Sequence, residues 1–163
     1  MKKIKVLFVC LGNICRSPLA EAVFKHKIRE RKLDEFIEAD SCGTSNYHIG
    51  DKPDPRTLAN AINNGVQIDH LGRQLCDADF ENFDHILAMD RSNLNNIMRL
   101  PGSARFANKV KLMRDYDPEG KGEVPDPYYG GEAGFQQVFD ILTRTMDVFI
   151  DQLAGEIKNG AAK

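Results

Sequence analysis

The segment VLFVCLGNICRSPLAEAVF, from Val6 to Phe24, restricts the chain to few folds. A short apolar run ends at Cys10, a polar loop with one glycine follows, and apolar residues return at helical spacing behind Arg16-Ser17-Pro18. Short, nearly continuous apolar runs are typical of strands covered on both faces of a parallel sheet. Proline suits the start of a helix, where its missing N–H has no intrahelical partner, so a helix is expected from Ser17-Pro18 with Leu19, Ala22 and Val23 on one face.

The pattern repeats along the chain. Strands are expected at IKVLFVC, EFIEADSCG, HILAM and KVKLM. Between them, one helix should start at Asp54-Pro55 and stop at Gly65, and another should run from about Ser92 to Leu100, before Pro101-Gly102. A long last helix carries Phe135, Val138, Phe139, Leu142, Met146, Phe149, Ile150 and Leu153 as a core stripe. Strands alternating with helices predict an α/β fold: a four-stranded parallel open sheet, doubly wound with helices on both faces. The 163 residues suit one domain, expected over residues 1–157, with 158–163 as a frayed tail.

Charge narrows the function classes. Twenty-two basic and 24 acidic side chains give a net charge of −2 with no block of one sign, so neither nucleic acid nor a membrane surface is an expected partner. No stretch approaches the roughly 18 apolar residues of a membrane span. The N-terminal apolar run is broken at once by Asn13 and Arg16, unlike an export signal, so a cytoplasmic location is expected. Thiols there usually stay reduced, and Cys10, Cys15, Cys42 and Cys76 lack zinc-ligand spacing, so no metal is expected.

In an open α/β sheet, ligands collect beyond the carboxyl ends of the strands, and the loop after the first strand lies there. Leu11, Gly12, Asn13, Ile14 and Cys15 lead into a helix N-terminus, where free N–H groups and the helix dipole favour an anion. Gly12 and Asn13 tolerate positive φ where the loop curls, and Arg16 supplies a planar fork for two anion oxygens. A thiol in such a cradle is drawn towards its charged, nucleophilic form. Cys10 and Arg16 at C-x5-R spacing also arise by chance, as a buried strand end and a surface charge; agreement of strand, loop and helix signals favours a site.

The second place to look is DYDPEGKGEVPDPYYGGEAG, about 20 residues without periodic apolar positions, a length uncommon in a loop without a task. Asp126 stands between Pro125 and Pro127, which either form a stiff turn or hold a carboxyl in place. Asp117-Pro118 reads as an ordinary turn.

These residues carry a resemblance. VCLGNICRSPLAEAVF resembles the phosphate-binding loop of the low-molecular-weight protein tyrosine phosphatases, and DPYYG from Asp126 to Gly130 resembles their second signature. The chain length, DSCGTSNYHIG, MDRSN and the order of elements agree. The resemblance implies hydrolysis of phosphotyrosine in proteins, and of small aryl phosphates, through a cysteinyl-phosphate. Cys10 would be the nucleophile, Arg16 the transition-state stabiliser and Asp126 the general acid. The phosphate loop would comprise Leu11, Gly12, Asn13, Ile14, Cys15, Arg16 and Ser17; Ser17, Ser41 and His70 would hydrogen-bond with Asn13.

Ser17 reads equally as a helix N-cap, and Asp90 either orients Arg16 or caps a helix. Tyr47, Tyr128 and Tyr129 would wall the pocket; in similar proteins the paired tyrosines can be phosphorylated. The expected partners are a phosphotyrosine protein and inorganic phosphate as product, with a monomeric enzyme and no cofactor. Cys15, beside a reactive thiolate, reads as packing or as a resolving thiol; His26, His48 and His85 read as surface residues and Cys42 and Cys76 as structural. Arsenate reductase on the same scaffold and a non-catalytic phosphotyrosine-binding module are the competing functions.

Overall fold

A computed structural model describes residues 2–161. The strands are β1 (Ile4–Cys10), β2 (Ile37–Gly43), β3 (His85–Ala88) and β4 (Val110–Leu112). They form one sheet in the order β2-β1-β3-β4, every neighbouring pair parallel. The helices are α1 (Arg16–Glu30), α2 (Pro55–Asn63), α3 (Ala78–Asn82), α4 (Arg91–Met98), α5 (Ser103–Phe106) and α6 (Glu132–Ala161).

The strand pleat sorts β1 between two apolar layers. Val6, Phe8 and Cys10 join Leu19, Val23 and Phe24 of α1 and Leu142, Met146 and Phe149 of α6. Leu7 and Val9 join Phe80 of α3, Phe83 and Ile97 of α4 on the opposite face. Both faces of the sheet are therefore covered, which is why the inner strands β1 and β3 read as continuous apolar runs rather than alternating ones. Phe24 sits between Phe8 and Phe149, with ring centroids 5.4 and 5.8 Å away. No helix among the described residues is long and apolar enough to cross a membrane.

Local signals place most boundaries. Asp54 caps α2, its carboxylate accepting the Arg56 N–H at 2.9 Å, and Pro55 takes the first helical position. Gly65, at φ 80°, ends that turn. Several boundaries differ from expectation, with α4 ending at Met98 instead of about Leu100 and β4 confined to Val110–Leu112. α1 begins at Arg16 instead of Ser17-Pro18, because the loop already curls and Leu19 N–H reaches the Cys15 carbonyl at 3.3 Å. α6 extends through Lys158–Ala161 of the expected tail, and residues 162 and 163 lie outside the described part. The short helices α3 and α5 carry no periodic signal in sequence, since one turn of helix cannot display a repeat.

Asp117 does more than form a turn. Its side chain is 0% exposed and is held by Arg114 at 2.8 Å and by Arg144 of α6 at 3.0 Å. Burial opposes its charge, but hydrogen bonds from Arg144, the Glu119 N–H and Arg114 prevail and lower its pKa to about 2. The long loop leading to Asp126 is thereby anchored at its root to α6. Sequence alone missed this because both arginines lie outside the DP dipeptide.

Candidate active site

β1 and β3 are the neighbours at which the strand order reverses, and β1 ends there in Cys10. The thiol is 3% exposed; its Sγ lies 3.0 Å from Ser17 Oγ and accepts the Asn13 N–H at 3.3 Å. Of the two residues suited to positive φ, Asn13 adopts it, at 57°, and Gly12 does not. Non-glycine residues enter this region at a cost that surrounding contacts must meet. Gly43, at the end of β2, is required by the same turn: a Cβ there would lie 2.6 Å from the Leu11 carbonyl oxygen.

Asn13 is held from three elements. Its Nδ2 donates to Ser17 Oγ at 2.8 Å and Ser41 Oγ at 3.1 Å, while its Oδ1 accepts from His70 Nε2 at 2.7 Å and the Arg73 N–H at 3.1 Å. Ser17, Ser41 and His70 thus meet at Asn13. Ser17 does not cap α1; its hydroxyl faces inward to Cys10, Asn13 and the Cys42 carbonyl.

Sequence reading missed the carboxylate beneath them. Glu21 is buried on α1, accepts from Ser41 Oγ at 2.7 Å and from Lys25 Nζ at 2.6 Å, and lies 3.2 Å from His70 Nδ1. Burial raises the cost of its charge, yet hydrogen bonds from His70, Lys25 and Ser41 hold its pKa below the ordinary carboxylate value. Glu21, Asp40 and His70 approach closely enough to hold a cation. Their acceptors and donors are already engaged, however, Asp40 with Arg73 at 2.9 Å and His70 with Asn13, so the cluster reads as the brace under the loop.

Arg16 ties the loop to two distant segments. Nη1 donates to Asp90 Oδ2 at 2.7 Å and to the Val124 carbonyl at 3.0 Å, and Nη2 lies 3.6 Å from Asp126 Oδ2. Burial works against the guanidinium's charge; Cys10, Asp90 and Asp126 more than restore it. Asp90 performs both functions considered for it, because its other oxygen caps α4 by accepting the Asn93 N–H at 2.7 Å. Asp126 is half-exposed, with Oδ1 accepting the Tyr128 N–H at 3.1 Å.

Cys10, Leu11, Gly12, Ile14, Cys15, Arg16, Tyr47, Tyr128, Tyr129 and Asp126 surround one pocket of about 230 Å³. Tyr129 is 95% exposed at its rim and stacks edge-on with Tyr128, centroids 5.0 Å apart. His48, read from sequence as a surface residue, joins this wall: its ring lies over Gly12, where a Cβ would come within 3.1 Å of Cδ2, and its Nδ1 is 3.1 Å from Asp51. A histidine following an exposed tyrosine gave no sequence signal for this placement. Cys15 also lines the pocket, and burial pushes its thiol up to about 12. Cys42 is fully buried and Cys76 lies against Asp79, with Sγ 3.6 Å from a carboxylate oxygen.

The pocket therefore combines a seated thiol, a curled loop of main-chain donors, a buried guanidinium and a carboxyl opposite, between aromatic walls. Such a set can accept an oxyanion and protonate what leaves it. The sequence model of the family described as low molecular weight phosphotyrosine protein phosphatase matches residues 5–159. A curated relative of that description from Schizosaccharomyces pombe is 48% identical over 94% of this chain and 99% of its own length. The Homo sapiens relative is 40% identical over 90% and 94% of the two chains. The crystal structure of a protein tyrosine phosphatase from Entamoeba histolytica superposes with a TM-score of 0.90 at 44% identity, covering 94% of this chain and 99% of that one. On sequence, fold and extent of match together, the chain belongs to the low molecular weight phosphotyrosine protein phosphatase family.

Proposed function

We propose that the protein hydrolyses phosphotyrosine in proteins, and small aryl phosphates, in two steps through a cysteinyl-phosphate. The observation that carries this reading is that Cys10 and Arg16, at the two ends of one loop, and Asp126, from a remote segment, line a single pocket. In the first step the Cys10 thiolate attacks phosphorus. The S–P bond forms as the P–O bond to the ring breaks, and Asp126 gives its proton to the departing phenolic oxygen. Arg16 and the N–H groups of residues 11–16 neutralise charge on the three non-bridging oxygens. In the second step Asp126, now ionised, takes a proton from water as that water attacks phosphorus; the S–P bond breaks, inorganic phosphate departs and the thiolate is restored.

Apolar and aromatic walls at Leu11, Ile14, Tyr47 and Tyr128 favour a flat aromatic leaving group over an alkyl one. The network of Ser17, Ser41, His70 and Glu21 keeps Asn13 in its unusual backbone conformation, so the donors are oriented before substrate arrives. We place the whole activity in one domain, residues 1–157, acting as a monomer in the cytoplasm without a metal or other cofactor. With a phosphotyrosine peptide as substrate and a strong chelator present, the protein is expected to release inorganic phosphate at an undiminished rate. Failure to release it, or arsenate reduction with thioredoxin in the absence of aryl phosphate hydrolysis, would overturn the reading.

Cys15 is proposed as the resolving thiol of Cys10. Peroxide converts the Cys10 thiolate to a sulfenic acid, releasing hydroxide; the Cys15 thiol then closes a disulfide with loss of water. A thiol held up to about 12 is almost wholly protonated near neutrality, so this closure is slow for an attacking thiol. After mild peroxide followed by excess thiol, the wild-type protein is expected to regain activity and Cys15→Ser to regain a smaller fraction. Equal recovery would remove the protective role.

A further inference from the structure

Arg56 has no part in the phosphate cradle, yet it touches both of the segments that must cooperate there. Its side chain is 46% exposed at the start of α2. On one side Asp54 holds the guanidinium at two points, with Nε 3.1 Å from Oδ1 and Nη2 2.9 Å from Oδ2. Asp54 is in turn fixed to the phosphate loop, its N–H donating to the Ile14 carbonyl at 2.8 Å. On the other side the guanidinium carbon lies 5.4 Å from the Tyr128 ring centroid and 4.8 Å from that of Phe135, and Nη1 is 3.5 Å from the Gly130 carbonyl.

Those three contacts hold the stretch that directly follows Asp126. Tyr128 donates its N–H to Asp126, Gly130 N–H closes a turn on the Pro127 carbonyl at 2.9 Å, and Phe135 packs with Ile14 and Cys15. Gly130 and Gly131 follow directly and allow the segment many conformations, so its rest position depends on what holds it from outside. A planar guanidinium can pair with a carboxylate at two points while its faces meet aromatic rings; an ammonium cannot.

We propose that Arg56 is a positioning residue for the reaction: through Tyr128, Gly130 and Phe135 it holds the Asp126 segment at a fixed distance from the phosphate loop, to which Asp54 ties it. This rests on Asp126 being the general acid. Displacement of a reacting group by about 1 Å can cost on the order of 10²-fold in rate, so a loosened segment should weaken proton delivery while leaving the thiolate's attack intact.

The test compares kcat/KM for phenyl phosphate, whose leaving group needs a proton, with that for an aryl phosphate of a strongly acidic phenol, which does not. Arg56→Ala is expected to lower the first about tenfold, a part of the roughly 10²–10⁴ that a positioned acid contributes, and the second by less than about twofold. Arg56→Lys should restore little, because it keeps the charge but not the fork. Melting temperature should be unchanged, as Arg56 is on the surface. In Asp126→Asn, adding Arg56→Ala should cause no further loss. Equal losses with both esters, no loss, or additive losses would overturn the proposal while leaving the general-acid reading intact. If Asp126→Asn itself affects both esters equally, the general-acid reading fails and Arg56 loses its stated role with it.

Discussion

Cys10→Ser is expected to bind a phosphotyrosine peptide and not turn it over. The substitution keeps the shape of the cradle: a hydroxyl at this position can still accept the Asn13 N–H and meet Ser17 Oγ, which stand 3.3 and 3.0 Å from the thiol sulfur. What is lost is the ionisable nucleophile. An alcohol holds its proton far more tightly than a thiol. Removing a nucleophile that acts as part of a unit has cost up to about 10⁶-fold in kcat in a hydrolase studied this way, so turnover should fall below detection in an ordinary assay. Steady-state rates with an aryl phosphate, peptide binding by calorimetry, and acid-quenched wild-type reactions analysed for phosphorus on Cys10 give three independent readings. Activity that survives Cys10→Ser and is abolished by a chelator would replace the thiol mechanism with a metal-dependent one.

Asp126→Asn carries the second largest expected effect. Asparagine preserves the local turn, since its carbonyl oxygen can still accept the Tyr128 N–H now seen at 3.1 Å from Asp126. It cannot donate a proton to a leaving phenolate. For phenyl phosphate, kcat/KM should therefore fall by roughly 10²–10⁴, and the loss should shrink steadily as the leaving phenol becomes more acidic. A plot of log kcat/KM against leaving-group pKa, shallow for the wild type and steep for the variant, is the diagnostic. A uniform loss across the series would assign Asp126 to binding instead. With Asp126→Ala, the slowed departure of substrate protein offers a means of capturing physiological partners from a lysate, using Cys10→Ser as the matched control.

Much of the candidate site is legible in the sequence because its contacts are short-ranged. The cradle lies within a few residues: Cys10 with Asn13 and Ser17, Asn13 with Ser17. Strand, turn and helix propensities act over the same distance, so the local sequence pointed to this loop as a candidate site, while Ser41, Gly43 and His70 from outside it fix its conformation. The continuous apolar runs of β1 and β3 announced a sheet covered on both faces, and the stripe of α6 announced its place in the core. Asp126 stood out because two prolines stiffen it and two tyrosines follow, and the resemblance supplied its role.

The partners of those residues were another matter. Glu21 sits between Ala20 and Ala22 on α1 and looks like an ordinary solvent-facing acid until β2 and the segment around His70 close over it. Asp117 looks like a turn until Arg144 reaches it from α6. Arg56, His48 and the choice between two functions for Asp90 likewise depend on segments remote in sequence. The sequence by itself determined the parallel α/β layering, the candidate anion-binding corner at Cys10–Ser17 and the candidate acid, because short-range propensity and hydrophobic period act within single elements. Only the tertiary structure decided which charges brace that corner, since Arg16 meets Asp90 and Val124 at separations of 74 and 108 residues, and Asn13 meets His70 at 57. Pairings of that kind arise from the spatial order of the strands and carry no periodic trace in the chain.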